Sequence, residues 1–272
     1  MKLGVIVCLD PKSDITQKLK EVGALGFSSC QISCWNTDCY TEENATRILS
    51  ALAEYGLTIS TFWAGWTGKA AWNFYEGPTT LGIVPQDVRE RRVCELKAGS
   101  DFAKRLGVGQ VATHVGFLPE SPAYEGYTEL VAAIKEVALY CKNNGQYFLF
   151  ETGQETPVTL LRTIEEIGLD NLGVNLDPAN LILYGKANPI DALDVFGKYV
   201  MDVHAKDGLY PTDGKSLGKQ VLVGTGKVNF PEFVKKLREV GYDGVLTIER
   251  EISGEQQKKD ILATKEYLEK LI

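Results

Sequence analysis

The sequence is poor in histidine and has no long hydrophobic run. Its only histidines are His114 and His204, fewer imidazoles than multi-zinc hydrolases need, so that class of enzyme is excluded. No apolar stretch approaches the ~20 residues that cross a bilayer, and the run at residues 3–9 is stopped by Asp10 and Pro11. We therefore expect this run to be the first β-strand, and we expect no membrane partner.

Positive charge is also scarce. The chain has 29 lysines and arginines against 36 aspartates and glutamates, which gives a formal net charge of -7. No basic run and no arginine patch interleaved with aromatic residues is present. Because a protein that binds a nucleic-acid backbone normally carries such a patch, we expect no nucleic-acid partner.

The six cysteines include no Cys-x-x-Cys pair, the spacing typical of zinc and redox sites. Cys8 and Cys30 lie in apolar, strand-like runs. Reduced, buried thiols explain this pattern better than disulfides. We therefore expect a reducing compartment, namely the cytoplasm.

Apolar β-rich runs alternate with segments of helical spacing along the chain. The strand-like runs cover residues 3–9, 28–34, 57–63, 109–115, 146–151, 172–177, 199–204 and 244–249. The helical segments cover residues 13–24, 41–55, 86–106, 125–144, 156–168, 188–197, 230–240 and 257–271.

Strict alternation requires parallel strands joined by crossover helices. Eight such units in about 250 residues predict a (β/α)8 TIM barrel, with residues 1–272 as a single domain. No Gly-x-Gly-x-x-Gly turn follows the first strand, which excludes the usual dinucleotide-binding fold.

The last four strand-like runs each end in a residue that can bind a metal ion: Glu151, Asp177, His204 and Glu249. A single acid at a strand end is often only an ion-pair partner or a helix cap. Four at corresponding places favour one shared site, because buried carboxylates need cationic partners and barrel strands end at one mouth.

Three carboxylates and one imidazole favour Mn²⁺ or Mg²⁺, with Co²⁺ or Zn²⁺ as further candidates. A cation with open positions can chelate adjacent oxygens of a hydroxy-ketone and stabilise the enediolate that forms when the C–H between them loses its proton. Glu151 and Glu249 are the predicted catalytic acid/base pair.

Other residues are candidates for binding a small sugar. His114 closes the fourth strand, and Lys206 faces the same side as His204 by strand alternation. A satisfied core histidine and an ion pair of Lys206 with Glu249 or Asp207 are the structural alternatives.

The loop at residues 64–85 is rich in aromatic residues, with Trp63 at its start. It is predicted to be a platform for a sugar face, a small packed loop or an oligomer contact, and it favours a homodimer or tetramer. Trp35, directly after the second strand, is a further candidate for sugar binding. The loop at residues 207–228 contains Gly224-Thr-Gly226, a weak phosphate-cradle pattern that we interpret as a solvated turn.

The order of the four ligands, with Asn-Leu-Asp-Pro-Ala-Asn at 175–180, Val-His-Ala-Lys-Asp at 203–207 and Val-Gly-Thr-Gly-Lys-Val-Asn-Phe-Pro at 223–231, resembles the xylose-isomerase-like sugar epimerase/isomerase superfamily. The nearest branches are the ketose 3-epimerases and the inosose dehydratases. The resemblance implies that Glu151, Asp177, His204 and Glu249 bind one divalent ion and that the two glutamates also move protons in 3-epimerisation.

The residues expected to contact substrate depart from the ketose 3-epimerase pattern. Asn180 replaces a histidine, and Tyr210 replaces an arginine. Glu155 lies closer to Glu151 than the second glutamate of that branch does, and its alternative role is to lead into the next helix. The His-Ala-Lys-Asp segment looks more like the dehydratase branch.

The leading hypothesis is therefore a metal-dependent epimerase or isomerase of a sugar or sugar phosphate. A dehydratase or lyase, in which the same enediolate expels a hydroxyl group, is the second. A non-catalytic carbohydrate-binding barrel is the third, and a repair endonuclease ranks last because of the acidic charge and the two histidines.

Overall fold

The computed structural model describes residues 1–272, and eight of its strands close a parallel barrel. The strands are β1 (Lys2–Cys8), β2 (Ser29–Cys34), β3 (Thr58–Ala64), β4 (Gln110–Thr113), β5 (Tyr147–Glu151), β6 (Leu172–Leu176), β7 (Val200–Ala205), β8 (Asp207–Leu209), β9 (Lys219–Val221) and β10 (Val245–Ile248). Around the barrel the order is β1-β10-β7-β6-β5-β4-β3-β2, while β8 and β9 form a separate antiparallel ribbon. The predicted (β/α)8 barrel is confirmed.

Helices surround the barrel. They are α1 (Ile15–Ala24), α2 (Glu42–Tyr55), α3 (Gly77–Thr80), α4 (Gln86–Arg105), α5 (Tyr127–Asn143), α6 (Pro157–Ile167), α7 (Pro178–Leu183), α8 (Pro189–Phe196), α9 (Phe230–Glu239) and α10 (Glu255–Leu268). The eight predicted helices are confirmed, and the short α3 and α7 are additions within loops. None of the helices combines the length and the apolar character needed to cross a bilayer.

The apolar core lies between the strands and the helices, whereas the barrel interior is largely polar. The outward-facing side chains of the strands belong to one large apolar cluster. Inside the barrel, a small separate cluster consists of Trp63, Ala112 and Leu149. Since alternate side chains of a strand face inward, the polar residues Asp202 and His204 of β7 lie on the same inner face.

The 207–228 segment contains the predicted solvated turn, which is largely exposed at residues 224–226 and is anchored by a buried carboxylate at the start of the segment. Its first residue, Asp207, is buried, and its carboxylate accepts backbone N–H groups of Gly208, Gly224, Gly226 and Val228 at 2.9, 3.0, 2.9 and 3.1 Å. A Cβ at Gly226 would lie 2.1 Å from Oδ1 of Asp207, so only glycine fits there. The glycine-rich turn therefore binds the carboxylate of Asp207, an anion from the same chain.

The aromatic loop 64–85 is held from α4 by Arg92. The guanidinium lies 4.0 Å above the ring of Trp66 and is almost fully buried. It donates hydrogen bonds to four loop carbonyls, those of Thr67, Lys69, Thr80 and Gly82. The loop is thus held through its backbone carbonyls by a side chain of α4.

Candidate metal centre

Each of the four predicted ligands lies at the C-terminal end of its strand. Glu151 is the last residue of β5, and His204 lies near the end of β7. Asp177 directly follows β6, where its Oδ1 accepts the backbone N–H of Asn180 at 2.9 Å and caps α7. Glu249 directly follows β10. Because parallel barrel strands end at one edge, all four side chains enter the same mouth.

Carboxylate oxygens surround the Nδ1 atom of His204. It lies 3.3 Å from Oε1 of Glu151, 3.7 Å from Oδ2 of Asp177 and 3.4 Å from Oε2 of Glu249. One ligand atom from each of the four residues lies within 4.8 Å of the other three. This spread is close to the ~4.2 Å that separates opposite ligands of an octahedral ion with bonds of about 2.1 Å.

Two of these ligand atoms are buried without a hydrogen bond, namely Nδ1 of His204 and Oδ2 of Asp177. The latter lies 3.3 Å from Nζ of Lys206, which is an ion pair without hydrogen-bond geometry. Buried polar atoms are nearly always paired, so these two unpaired atoms, 3.7 Å apart, fit a place where a ligand could bind. Three carboxylates and one imidazole fit a hard divalent cation.

The charges of the site outweigh the cost of burying them. Burial lowers the pKa of His204, but the carboxylates of Glu151 and Glu249 raise it more, and the resulting pKa lies well above its usual value. Burial raises the pKa of Glu249, but Lys206 and His204 hold it far below its usual value. Burial also raises the pKa of Glu151, but the charges of His114 and His204 lower it more, so this pKa lies below its usual value. Both glutamates are therefore ionised at neutral pH.

Lys206 forms ion pairs with three carboxylates in the mouth. Its Nζ lies 2.7 Å from Glu251, 3.0 Å from Glu249 and 3.3 Å from Asp177. Burial lowers the pKa of Lys206, but these carboxylates raise it well above its usual value. The predicted pairing with Glu249 is present, and pairing with Asp207 is not, because Asp207 faces backbone amides.

Three predicted substrate-binding residues surround Glu151. Trp63 donates its indole N–H to Oε2 of the carboxylate. Nε2 of His114 lies 3.4 Å from Oε1, and Asn180 donates its side-chain N–H to the same oxygen at 3.4 Å. His114 and Asn180 are both buried and both line the cavity in the mouth. The structure thus brings all three to the carboxylate of one candidate ligand.

All four tryptophans of the chain lie around this cavity, whose volume is about 160 Å³. Trp35 packs against Trp63 at 4.7 Å, and Trp72 lies 5.3 Å from the ring of His114. Trp35 and Trp72 are 38% and 41% exposed, and Trp66 is buried behind them. The cavity is therefore lined both by aromatic rings and by the charged side chains of Glu151, Glu249, Glu251 and Lys206.

Loops from opposite strands meet at the mouth. The backbone N–H of Phe74, in the loop after β3, donates to the carbonyl of Lys215, in the loop after β7, at 3.0 Å. Asn73 and Ser216 form an isolated antiparallel bridge beside this bond. These contacts explain how the aromatic loop is placed against the ribbon.

Glu155 is the predicted site residue that the structure places elsewhere. It is 1% exposed and does not line the cavity. It directly precedes Thr156, whose hydroxyl caps α6, so the short connection 152–156 directs it to the helix start rather than the mouth. Burial raises the pKa of its carboxyl to about 8.

Sequence reasoning missed several residues of the site. Glu251 lies two residues after Glu249, as Lys206 lies two residues after His204, so the strand alternation that selected Lys206 also predicts Glu251. Tyr184 lines the cavity because α7 brings it there, and no pattern in the sequence marks it. Gln31 is a buried polar residue in the middle of β2, whereas the ligands were identified at strand ends.

The family model of the xylose isomerase-like TIM barrels matches residues 19–271 of the chain. The crystal structure of a xylose isomerase domain protein from Planctomyces limnophilus is 36% identical, with a TM-score of 0.93 over 99% of this chain and 96% of that one. An uncharacterized protein of Methanocaldococcus jannaschii is 25% identical over 99% of this chain and 90% of its own length. Fructoselysine 3-epimerase of Escherichia coli O157:H7 is 23% identical over 92% of this chain and 90% of its own length.

Proposed function

Because the chain belongs to the family of xylose isomerase-like TIM barrels, we propose that it is a divalent-metal-dependent epimerase or isomerase of a small sugar. The observation that carries the proposal is the convergence of Glu151, Asp177, His204 and Glu249 within 4.8 Å at the barrel mouth. The similarity to fructoselysine 3-epimerase supports the choice of an epimerase.

Mn²⁺ or Mg²⁺ is the proposed cation, since oxygen donors dominate the site. When bound, such an ion polarises the substrate carbonyl and acidifies the neighbouring C–H. The four side chains would hold it, and its charge would offset the carboxylates of Asp177 and Glu249, which otherwise pair with Lys206.

Glu249 and Glu151 move the proton in this proposal. Both carboxylates are ionised at neutral pH, and an ionised carboxylate beside an acidified C–H accepts its proton. Epimerisation follows when the second glutamate takes a proton from solvent water and delivers it to the opposite face of the carbon, while the first glutamate releases the abstracted proton to solvent. Lys206, paired with Glu249 at 3.0 Å, places positive charge where the enediolate oxygen develops.

The remaining walls select the substrate. His114 and Asn180 offer hydrogen bonds to hydroxyl groups, and Trp35, Trp63 and Trp72 offer aromatic faces to sugar C–H groups. The cavity of about 160 Å³ is small beside the ~300–1,000 Å³ of sites for drug-sized ligands, so it suits one monosaccharide unit. Its one lysine is already paired with three carboxylates, which favours an unphosphorylated sugar.

Solvent exchange tests the proposal. A panel of keto-sugars incubated in heavy water with Mn²⁺ is expected to yield an epimer or isomer that carries one deuterium, because the abstracted proton exchanges with solvent. Glu249→Gln is expected to abolish the exchange, and Glu232→Gln, at an exposed site on α9, is the matched control. Isomerisation that survives both chelation and Glu249→Gln would disprove the mechanism.

A dehydratase is the second candidate, and the position of Lys206 favours it. The ammonium lines the cavity next to Glu249, where it can donate a proton to a leaving hydroxyl group. This reaction predicts loss of water and a new enone absorbance as substrate disappears. A purely isomeric product would remove the candidate.

A further inference from the structure

A polar cluster fills the barrel interior beneath the candidate metal centre. Gln31 of β2 lies at its centre and is 0% exposed. Oε1 of Gln31 is 2.7 Å from Nε2 of His204, and its Nε2 donates to Asn175 at 3.2 Å and to Asp202 at 3.3 Å. A barrel of this kind normally fills this space with branched apolar side chains, so the cluster needs a reason.

Asp202 sets the direction of the Gln31 amide. Its Oδ2 also accepts the hydroxyl of Thr61 at 2.6 Å, and its Oδ1 accepts that of Thr247 at 3.3 Å. An ionised carboxylate only accepts hydrogen bonds, so the Gln31 nitrogen must face it. A flipped amide would place oxygen against oxygen.

The direction of the amide in turn fixes His204. The amide oxygen of Gln31 lies 2.7 Å from Nε2 of His204 and can only accept, so this contact is a hydrogen bond when Nε2 carries a proton and donates it. Nδ1 is then the nitrogen left for a ligand, and it is the one that faces the three carboxylates at 3.3 to 3.7 Å. The amide nitrogen of Asn175 also lies near this Nε2, at 3.1 Å, but the contact with the Gln31 oxygen is the shorter of the two and takes the proton.

The strands are irregular at this level of the barrel. The pairing of β2 with β3 shifts register between Cys30 and Ile32, the two neighbours of Gln31. The pairing of β6 with β7 shifts between Val174 and Asn175, next to the pair of Asn175 with Asp202. Bulges beside functional sites redirect side chains, and both lie at members of the polar cluster.

We propose that Gln31 is a positioning residue that holds His204 with Nε2 protonated and Nδ1 directed at the metal, with Asp202 fixing the Gln31 amide. The proposal rests on the proposed metal site. Hydrogen-bond partners behind metal-binding histidines are typically worth 10–100-fold in metal affinity. Gln31 is placed to be that partner although it touches neither metal nor substrate.

Nuclear magnetic resonance of ¹⁵N-labelled histidine tests this directly, because the chain has only two histidines and a His114→Gln variant assigns their signals. In metal-free protein, His204 is expected to show a slowly exchanging Nε2–H, which Gln31→Met removes and Gln31→Glu, which keeps an acceptor, retains. The matched control is Gln110→Met, which alters another amide of the interior, bonded to Thr61 and not to His204.

Titration calorimetry provides the second readout. Gln31→Met is expected to weaken Mn²⁺ binding by about 10–100-fold, whereas Gln110→Met keeps the wild-type affinity. The proposal is overturned if Gln31→Met keeps both the Nε2–H signal and the affinity, if Gln110→Met causes the same losses, or if Gln31→Glu lacks the signal. If wild-type protein binds no Mn²⁺, the proposed function fails, while the metal-free spectra still decide the role of Gln31.

Discussion

At the level of single residues, Lys206 partly neutralises, in the metal-free protein, the carboxylates that a bound divalent cation would neutralise. Its ammonium is buried between Asp177, Glu249 and Glu251. Removing one partner of a buried ion pair leaves an uncompensated charge and costs about 3–5 kcal/mol. A divalent ion in the same mouth compensates two of these three carboxylates by itself.

Lys206→Met is therefore expected to lower the free energy of unfolding by about 3 kcal/mol in the presence of a chelator and by clearly less with saturating Mn²⁺. Urea unfolding under both conditions measures the difference. Lys219→Met, on the exposed face of the ribbon, should change stability by under about 0.5 kcal/mol in either condition. If Lys206→Met lowers the free energy of unfolding equally with and without Mn²⁺, then Lys206 and the metal ion do not neutralise the same carboxylates.

Glu155 makes stability depend on pH. Its pKa is about 8 in the folded protein, raised by burial from an ordinary 4.5. Between these values the folded protein binds one proton more than the unfolded chain, so stability falls as pH rises, by about 1.4 kcal/mol per pH unit. The contribution is complete below pH 4.5 and lost above pH 8.

Glu155→Gln, which cannot ionise, is expected to gain stability relative to wild type as pH rises from 5 to 8. Urea unfolding at several pH values in a chelator measures this difference, and Glu165→Gln, exposed on α6, is the control. A constant difference between variant and wild type across this range would show that Glu155 ionises normally.

At the level of elements, the two long loops are organised by single buried charges. Arg92 binds four carbonyls of loop 64–85, and Asp207 binds four backbone amides of the segment after β7. Backbone groups must be paired when buried, and each of these charges pairs four of them in its segment. Both loops thereby become rigid walls of the cavity.

Arg92→Ala is expected to cost about 3 kcal/mol, because it leaves buried carbonyls unpaired and removes the cation from the ring of Trp66. The tryptophan emission should shift to the red, since all four tryptophans lie around the cavity next to this loop. Arg105→Ala is the control, because its side chain is 49% exposed on the same helix and contacts Glu42 and the carbonyl of Tyr40, which lie outside this loop. Unchanged emission with Arg92→Ala would show that the loop keeps its conformation without Arg92.

At the level of the whole molecule, the candidate ligands come from β5, β6, β7 and β10, which are neighbours on one side of the barrel. A bound ion would therefore tie this half together. β2, β3 and β4 contribute no ligand. Metal binding should stabilise the two halves unequally.

Saturation with Mn²⁺ at about 100 times its dissociation constant is expected to add about 2.7 kcal/mol to stability. Hydrogen exchange followed by mass spectrometry should show the added protection mainly in β5, β6, β7 and β10. Glu249→Gln should lose most of both effects. Protection spread evenly around the barrel would indicate nonspecific binding instead.

The sequence by itself determined the barrel and the end of it at which the four ligands lie. Alternating apolar strands and helices leave only parallel topologies, and in them every strand end faces the same side. The charged residue that closes each of the last four strands thus had its location decided by local pattern alone. The same logic placed His114 and Lys206 at the mouth.

The tertiary structure alone decided which distant residues touch. Gln31 reaches His204 because the barrel closes and because two register shifts redirect the side chains, and no local pattern encodes either. Glu155 carries the same residue type as Glu151 but turns away, since the start of α6 comes too soon after β5. Contacts across the barrel depend on closure and register, which are properties of the assembled sheet and not of any one segment.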